Sequence, residues 1–173
     1  MNPRTLGATV GRILRQILHD RRTLAIVLII PVVIITLVHF LFEGAEPFVS
    51  KLEADMLVIF PIIVMFLLTA IATVRERTSG TLERLLTTPV RKADILFGYA
   101  IAYGILGAIQ VSVGAAFCYL VLDMHVAGPG VLVYLCAILS SQLGVAFGLL
   151  ASAISTTEFQ AIQMFPAVLT PQI

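Results

Sequence analysis

The residues whose types could do chemistry are concentrated in one polar stretch, residues 75–94. This stretch carries five cations and three acids, whereas the whole chain is 59 % hydrophobic and only 12 % charged. A loop that only reverses the chain needs a few turn residues. Charged side chains beside leucines at helical spacing are suited to binding another protein rather than to breaking bonds.

The pattern inside this stretch predicts a short helix over residues 81–87. Gly80 can cap its N-terminus, and Glu83 then falls at the third helical position, where a carboxylate favours the positive end of the helix. Thr88 is pushed out of helical geometry by Pro89, and the pair is suited to begin the next helix. One apolar face is formed by Leu82, Leu85 and Leu86.

Several chemistries are excluded by what the apolar parts of the chain lack. Their long runs contain no Asp, Glu, Lys or Arg, which disfavours an ion-driven carrier and an intramembrane protease. His39 lies near the end of one run, and we interpret it as an interfacial histidine, with a residue of a transport pathway as the alternative. No phosphate-binding loop, metal-ligand set or nucleic-acid patch is recognisable, so ATP-driven work would need another chain.

Composition places the chain in a bilayer. A hydrocarbon core of roughly 30 Å requires about 20 apolar residues in a helix. Four runs meet this length: 24–42, 56–74, 95–122 and 131–155. A fifth begins near Phe159 and ends with the sequence at Ile173, so we expect either a fragment or a half-span.

The cations predict the orientation. Five of the eleven Lys and Arg residues precede the first run and five lie between the second and third, which leaves only Lys51 between the first and second. By the positive-inside rule, the N-terminus and the polar stretch face the cytoplasm. We expect the loop over 43–55 and the turn over 123–130 to face outward. The location implied is the plasma (inner) membrane.

An amphipathic helix is predicted before the first span, within residues 1–23. Leu6, Val10, Ile13 and further apolar residues recur at spacings of three and four, with Arg4, Arg12 and Arg15 opposite. Such a helix could be a lipid anchor or a lever at the inner surface. Residues 24–173 form the transmembrane domain, so the fold class is an all-α polytopic membrane protein with four complete spans and a partial fifth.

Small residues recur every four positions in the third and fourth spans. Membrane helices associate where small side chains let backbones approach, so we expect these ridges to pack on each other or on a second copy. Cys118 and Cys136 are interpreted as small apolar core residues, with a disulfide as the alternative. The ridges are Ala100, Gly104, Ala108, Ser112 and Ala116 in one helix, and Ser140, Gly144, Gly148 and Ser152 in the other.

The polar stretch also resembles a known family. Arg-Glu-Arg-x-x-Gly-Thr-Leu-Glu-x-Leu-Leu-x-Thr-Pro-Val over 75–90 is similar to the cytoplasmic loop of type-2 ABC transporter permeases, the membrane subunits of ATP-driven exporters. The N-terminal amphipathic helix and the pattern Glu158, Gln160, Ala161, Gln163 extend the resemblance. The family has six spans per subunit, which this chain does not complete.

The resemblance implies partners and site residues. Permeases of this family work as homo- or heterodimers with two nucleotide-binding subunits, which bind ATP and Mg²⁺, while the permease binds no cofactor or metal and has no catalytic residue. A coupling helix in the loop contacts the nucleotide-binding subunit. The residues implied here are Glu76, Arg77, Gly80, Thr81, Leu82, Glu83, Leu85, Leu86, Thr88 and Pro89.

The function expected is the permease subunit of an ABC exporter that moves an amphiphile, a drug or lipid, outward. Spans without charge or Trp favour such a substrate over a glycan. The alternative is a membrane scaffold or regulatory subunit that recruits an ATPase without forming a path. Neutral polar residues could line a path or join helices; the candidates are Thr69, Thr73, Gln110, Gln142, Gln160 and Gln163.

Overall fold

The computed structural model describes residues 3–42, 44–45, 48–79, 92–125 and 128–169. This part of the chain contains six helices, and we number them in chain order. They are α1 (Pro3–His19), α2 (Arg21–Leu41), α3 (Phe48–Thr78), α4 (Lys92–Leu120), α5 (Gly130–Ile154) and α6 (Glu158–Leu169). Four of them, α2 to α5, are long and apolar enough to cross a membrane. The predicted fold class, an all-α polytopic membrane protein, is confirmed.

The amphipathic helix α1 lies against the start of α4. On its apolar face, Ile13 is 2 % exposed and packs in one cluster with Tyr99 and Tyr103 of α4. At Gly98 the two helices approach so closely that a Cβ atom would lie 2.6 Å from Cγ2 of Thr9. Part of the apolar face of α1 is therefore covered by α4, whereas Leu18 on the same face is 63 % exposed, so the lever and the lipid anchor both stay predictions.

A single residue, Asp20, separates α1 from α2. Its carboxylate caps α2 by accepting hydrogen bonds from the hydroxyl of Thr23 at 2.5 Å and from the backbone N–H of Thr23 at 3.2 Å. These hydrogen bonds favour the charged form and lower the pKa of Asp20. The cap therefore starts the first span one residue after α1 ends.

The most extensive helix contact joins α3 and α5, along the small residues of α5. A Cβ atom at Gly144 would lie 2.5 Å from the carbonyl oxygen of Ile62, and one at Gly148 would lie 2.7 Å from that of Phe66. This ridge therefore packs on α3 and not on the third span, which is one of the two expected arrangements; packing on a second copy stays a prediction. In α4, Gly104 contacts α5 and the Ser112 hydroxyl shares a hydrogen bond with the Tyr134 hydroxyl of α5 at 2.9 Å, whereas Ala116 is exposed.

The predicted outer loop over 43–55 is largely helical instead. Helix α3 begins at Phe48, and Val49, Ser50 and Glu53 are buried within it. The buried residues Val49, Glu53 and Leu57 follow one another at spacings of four and continue the buried face of the span toward its N-terminus. The helix that contains the second span therefore includes a buried acid, Glu53. The run predicted for this span, 56–74, begins after Glu53 and carries no charge.

The last helix, α6, packs against α3. Ala161 is buried in a cluster with Ala70 and Val74, and the rings of Phe66 and Phe165 lie 5.3 Å apart. The two cysteines are both free, and Cys118 is buried as expected. Cys136 is exposed, so its interpretation as a core residue is wrong; it lies on a face of α5 that the described residues leave uncovered.

Candidate coupling site

Three consecutive charged residues lie in the last turns of α3, shortly before the stretch predicted to form the coupling helix. Successive side chains of an α-helix point about 100° apart, so Arg75, Glu76 and Arg77 face different neighbours. Glu76 is buried, Arg77 is half-buried and Arg75 is exposed. Each makes a polar contact with a different part of the bundle.

Glu76 joins three helices. Its Oε1 atom accepts a hydrogen bond from Nη1 of Arg12 in α1 at 2.7 Å, and its Oε2 atom accepts one from the hydroxyl of Tyr99 in α4. Nη2 of Arg12 also lies 3.5 Å from the Tyr99 hydroxyl. A carboxylate that is only 8 % exposed requires such partners to remain charged. We call Arg12, Glu76 and Tyr99 the polar triad.

Arg77 joins α3 to the end of α5. Its guanidinium donates a hydrogen bond to the carbonyl oxygen of Ser155, the C-cap residue of α5. A cation at this position also interacts favourably with the negative end of the helix dipole. Thus Arg77, which the family resemblance assigns to a partner contact, makes a contact inside this chain.

Arg75 joins α3 to α6. Its Nε and Nη2 atoms donate to the two carboxylate oxygens of Glu158 at 3.0 and 3.2 Å. Both side chains are substantially exposed, at 70 % and 38 %. Exposed ion pairs contribute about 0–1 kcal/mol, so this contact orients α6 more than it stabilises the fold.

The other side of the polar stretch is also attached to α1. Asp94, in the first turn of α4, is 1 % exposed, and its Oδ2 atom accepts a hydrogen bond from the hydroxyl of Thr5 at 3.2 Å. Helix α1 therefore contacts both the end of α3, through Glu76, and the start of α4, through Asp94. The segment over 80–91 therefore connects α3 to α4, and α1 contacts both of these helices.

Most of the residues implied by the resemblance lie outside the described part of the chain. The structure describes Glu76 and Arg77. The residues that lie outside it are Gly80, Thr81, Leu82, Glu83, Leu85, Leu86, Thr88 and Pro89. The short helix over 81–87 and its partner-binding face therefore stay predictions. The sequence pattern also missed Tyr99 and Ser155 as polar partners, since neither belongs to a recognisable motif.

The structure disperses the residues that we considered for a path. Thr69 is buried beside Gly148 of α5, and Thr73 donates to the carbonyl oxygen of Thr69 within α3. Gln160 accepts hydrogen bonds from the backbone and hydroxyl of Thr156, close to the start of its own helix, and Gln163 is exposed. A path lined by these residues stays a prediction.

The two glutamines of α4 and α5 differ in their hydrogen bonds. Gln142 donates to the carbonyl oxygen of Gly104 at 3.1 Å, which ties α5 to α4. Gln110 is 4 % exposed, and neither of its amide atoms has a hydrogen-bond partner among the described residues. Gln142 thus has the contact expected of a residue that joins helices, whereas Gln110 does not.

This difference predicts opposite effects for the same substitution. Gln142→Leu should lower the free energy of unfolding by about 0.5–1 kcal/mol, because it removes an interhelical hydrogen bond. Gln110→Leu should leave it unchanged or raise it, because it removes a buried amide without a partner. Thermal unfolding in one detergent measures both, and a larger loss for Gln110→Leu would contradict the assignment.

Comparison with known proteins identifies the family. The ABC-2 type transporter family matches residues 4–173. The chain is 30 % identical over 110 residues to the Escherichia coli K12 protein named "Probable multidrug ABC transporter permease YbhR", covering 61 % of this chain and 30 % of that protein. It is 29 % identical over 106 residues to ABC transporter G family member 20 of Dictyostelium discoideum, covering 61 % of this chain and 14 % of that one.

The chain thus spans less than a third of the length of these relatives. No solved structure matches it significantly. The family match nevertheless extends over nearly the whole chain and includes all six described helices. The chain belongs to the ABC-2 type transporter family, whose members are membrane components of ABC transporters.

Proposed function

We propose that this chain is the permease subunit of an ABC exporter and moves a hydrophobic or amphiphilic substrate, a drug or lipid, out of the cell. ATP hydrolysis in a separate nucleotide-binding subunit, which holds ATP and Mg²⁺, drives the transport. The polar triad carries this proposal. It attaches the end of α3, and hence the segment over 80–91, to both α1 and α4.

The triad provides a physical route for coupling. A partner that moves the segment over 80–91 would pull on the ends of α3 and α4, to which that segment is directly joined. Through Glu76 and Asp94 the same movement would reach α1, and α1 leads through Asp20 into α2. Buried hydrogen-bonded contacts transmit displacement because packed interiors are nearly incompressible.

The proposed arrangement in the membrane follows from the cations and the family. We place the N-terminus and the segment over 80–91 in the cytoplasm, at the plasma membrane, and we place two permease copies in the complex. The relative from E. coli is named as a multidrug permease. Together with spans that carry no Trp, this name supports an amphiphilic substrate.

Binding of the nucleotide-binding subunit tests the proposal. We expect the native chain to co-purify with its cognate ATP-binding subunit, and Leu82→Asp and Glu83→Lys to reduce the retained subunit by about tenfold or more, as at interface hot spots. Lys51→Glu is the matched control, because this exposed charge lies at the opposite end of α3. Binding that both loop variants retain would contradict the proposal.

Transport in proteoliposomes separates an exporter from a scaffold. An exporter complex should move a fluorescent amphiphile only when ATP is hydrolysed. If the loop variants lose the ATP-binding subunit but the native complex moves no substrate, the chain is a recruiting scaffold and the exporter assignment fails.

A further inference from the structure

A close contact between a histidine and a glutamate lies at the end of the bundle opposite the coupling site, where α2 ends and α3 begins. Nδ1 of His39 lies 2.6 Å from Oε1 of Glu53. Glu53 is 1 % exposed, and the side chain of His39 is 22 % exposed. A carboxylate buried to this extent is stable in its charged form only with close partners, and here a titratable residue of another helix is one of them.

Other titratable groups surround the pair among the described residues, while Glu43 and Glu46 of the segment between α2 and α3 lie outside them. On α3, Lys51 and Asp55 are exposed, and on α4 the buried Cys118 lies within electrostatic reach of Glu53 and next to Tyr119. The segment after α4 carries Asp123 and His125, and the backbone N–H of His125 donates to the hydroxyl of Ser50 at 3.3 Å. The His39 ring also packs edge-on against Phe40, with centroids 5.5 Å apart.

The strength of this contact depends on whether the imidazole is protonated. Histidine side chains of proteins change charge mostly between about pH 5 and 8. An imidazolium forms a charge-assisted hydrogen bond with a carboxylate, which is roughly twice as strong as a neutral one. A neutral imidazole can still donate from Nδ1, but it brings no positive charge to the buried carboxylate.

We propose that His39 and Glu53 form a proton-sensitive latch, which holds α2 against α3 at this end of the bundle in acid and loosens as the medium becomes alkaline. The proposed exporter function is used only to place the latch at the outer surface. There it would control how readily the outer ends of α2 and α3 separate when substrate leaves. An acidic exterior would favour the closed arrangement.

The native Cys118 thiol can report on the latch. It is buried near Glu53, so a small maleimide reaches it only when the helices around it separate. Cys136 is exposed and is replaced by alanine, which leaves Cys118 as the single thiol. The alkylation rate is measured from pH 5.5 to 8.5 in the purified full chain, with His39 intact or as His39→Gln. Because the thiolate is the reactive form, alkylation itself speeds up with pH in both proteins, and the ratio of the two rates removes this common dependence.

We expect His39→Gln to raise the alkylation rate about fivefold at pH 5.5, which corresponds to the difference in strength between a charge-assisted and a neutral hydrogen bond. At pH 8.5 the ratio of the His39→Gln rate to the native rate should approach one. His19→Gln is the matched control, because His19 is an exposed histidine at the end of α1. It should follow the native rate at every pH. A ratio of one throughout, or a raised ratio that does not change with pH, would overturn the latch.

A second measurement does not depend on the folding of His39→Gln. Acidification from pH 8.5 to 6 should raise the thermal unfolding temperature of the native chain more than that of Glu53→Gln; equal shifts would overturn the proposal. Neither measurement requires ATP or a partner. Failure of the latch therefore leaves the exporter assignment untouched, and loss of the ATP-binding subunit would leave the latch untouched.

Discussion

Glu76→Ala is expected to reduce ATP-driven transport by about tenfold or more while the nucleotide-binding subunit stays bound. The substitution removes the carboxylate that joins α1, α3 and α4, and leaves the Tyr99 hydroxyl and the Arg12 guanidinium without this partner. Breaking a buried ion pair costs about 3–5 kcal/mol when both partners are buried. Arg12 is 32 % exposed, so we expect a loss of about 1–3 kcal/mol in the free energy of unfolding.

Glu76→Ala is expected to act by partly releasing α1 from the bundle. With Glu76 absent, α1 keeps its apolar contacts with α4 but loses its polar contact with α3. Trypsin should then cleave after the exposed Arg15 faster than in the native chain. Glu76→Gln should have an intermediate effect, because the amide can still accept one hydrogen bond.

Arg75→Ala is the matched control for Glu76→Ala. It removes an ion pair one residue away in the same helix, but an exposed one, for which the expected cost is below about 1 kcal/mol. Transport assays, thermal unfolding and trypsin cleavage are compared for both variants. If Glu76→Ala matches Arg75→Ala in all three measurements, the polar triad does not couple the helices.

Gly144→Ala is expected to destabilise the fold by about 2–3 kcal/mol, which is large for a single methyl group. The added Cβ would lie 2.5 Å from the carbonyl oxygen and 2.9 Å from the Cα of Ile62. These are backbone atoms of α3, which cannot rotate away as a side chain can. The two helices must separate, and overpacking of this kind costs roughly 1–3 kcal/mol. Thermal or denaturant unfolding measures the loss.

Gly7→Ala provides the control, since it is the same substitution with the opposite expected sign. Gly7 lies in α1, and a Cβ atom there meets nothing within 4 Å. Alanine is better than glycine in a helix by about 0.8–1 kcal/mol, so Gly7→Ala should stabilise the chain slightly or leave it unchanged. Equal effects of the two substitutions would show that α3 and α5 do not approach as closely as described.

Part of the coupling site can be recognised from the amino-acid sequence alone. The dense motif over 75–90 identifies Glu76 and Arg77 as residues of interest, and the family match supports the recognition. Their partners cannot be recognised in this way. Arg12 is 64 positions from Glu76, and Ser155 is 78 positions from Arg77. The predicted role of Leu82 and Glu83 stays a prediction.

The sequence by itself determined the class of the protein, its four spans and the amphipathic character of α1, because these depend on hydrophobicity within windows of one helix. Only the tertiary structure decided that α1 rests on α4, that Gly144 faces α3, and that Glu53 and Glu76 are buried. Lipid tails are as apolar as a protein core, so a membrane helix that is hydrophobic all round carries no pattern marking its protein-facing side. Which face is buried, and which distant cation pairs with a buried acid, depends on how the helices pack.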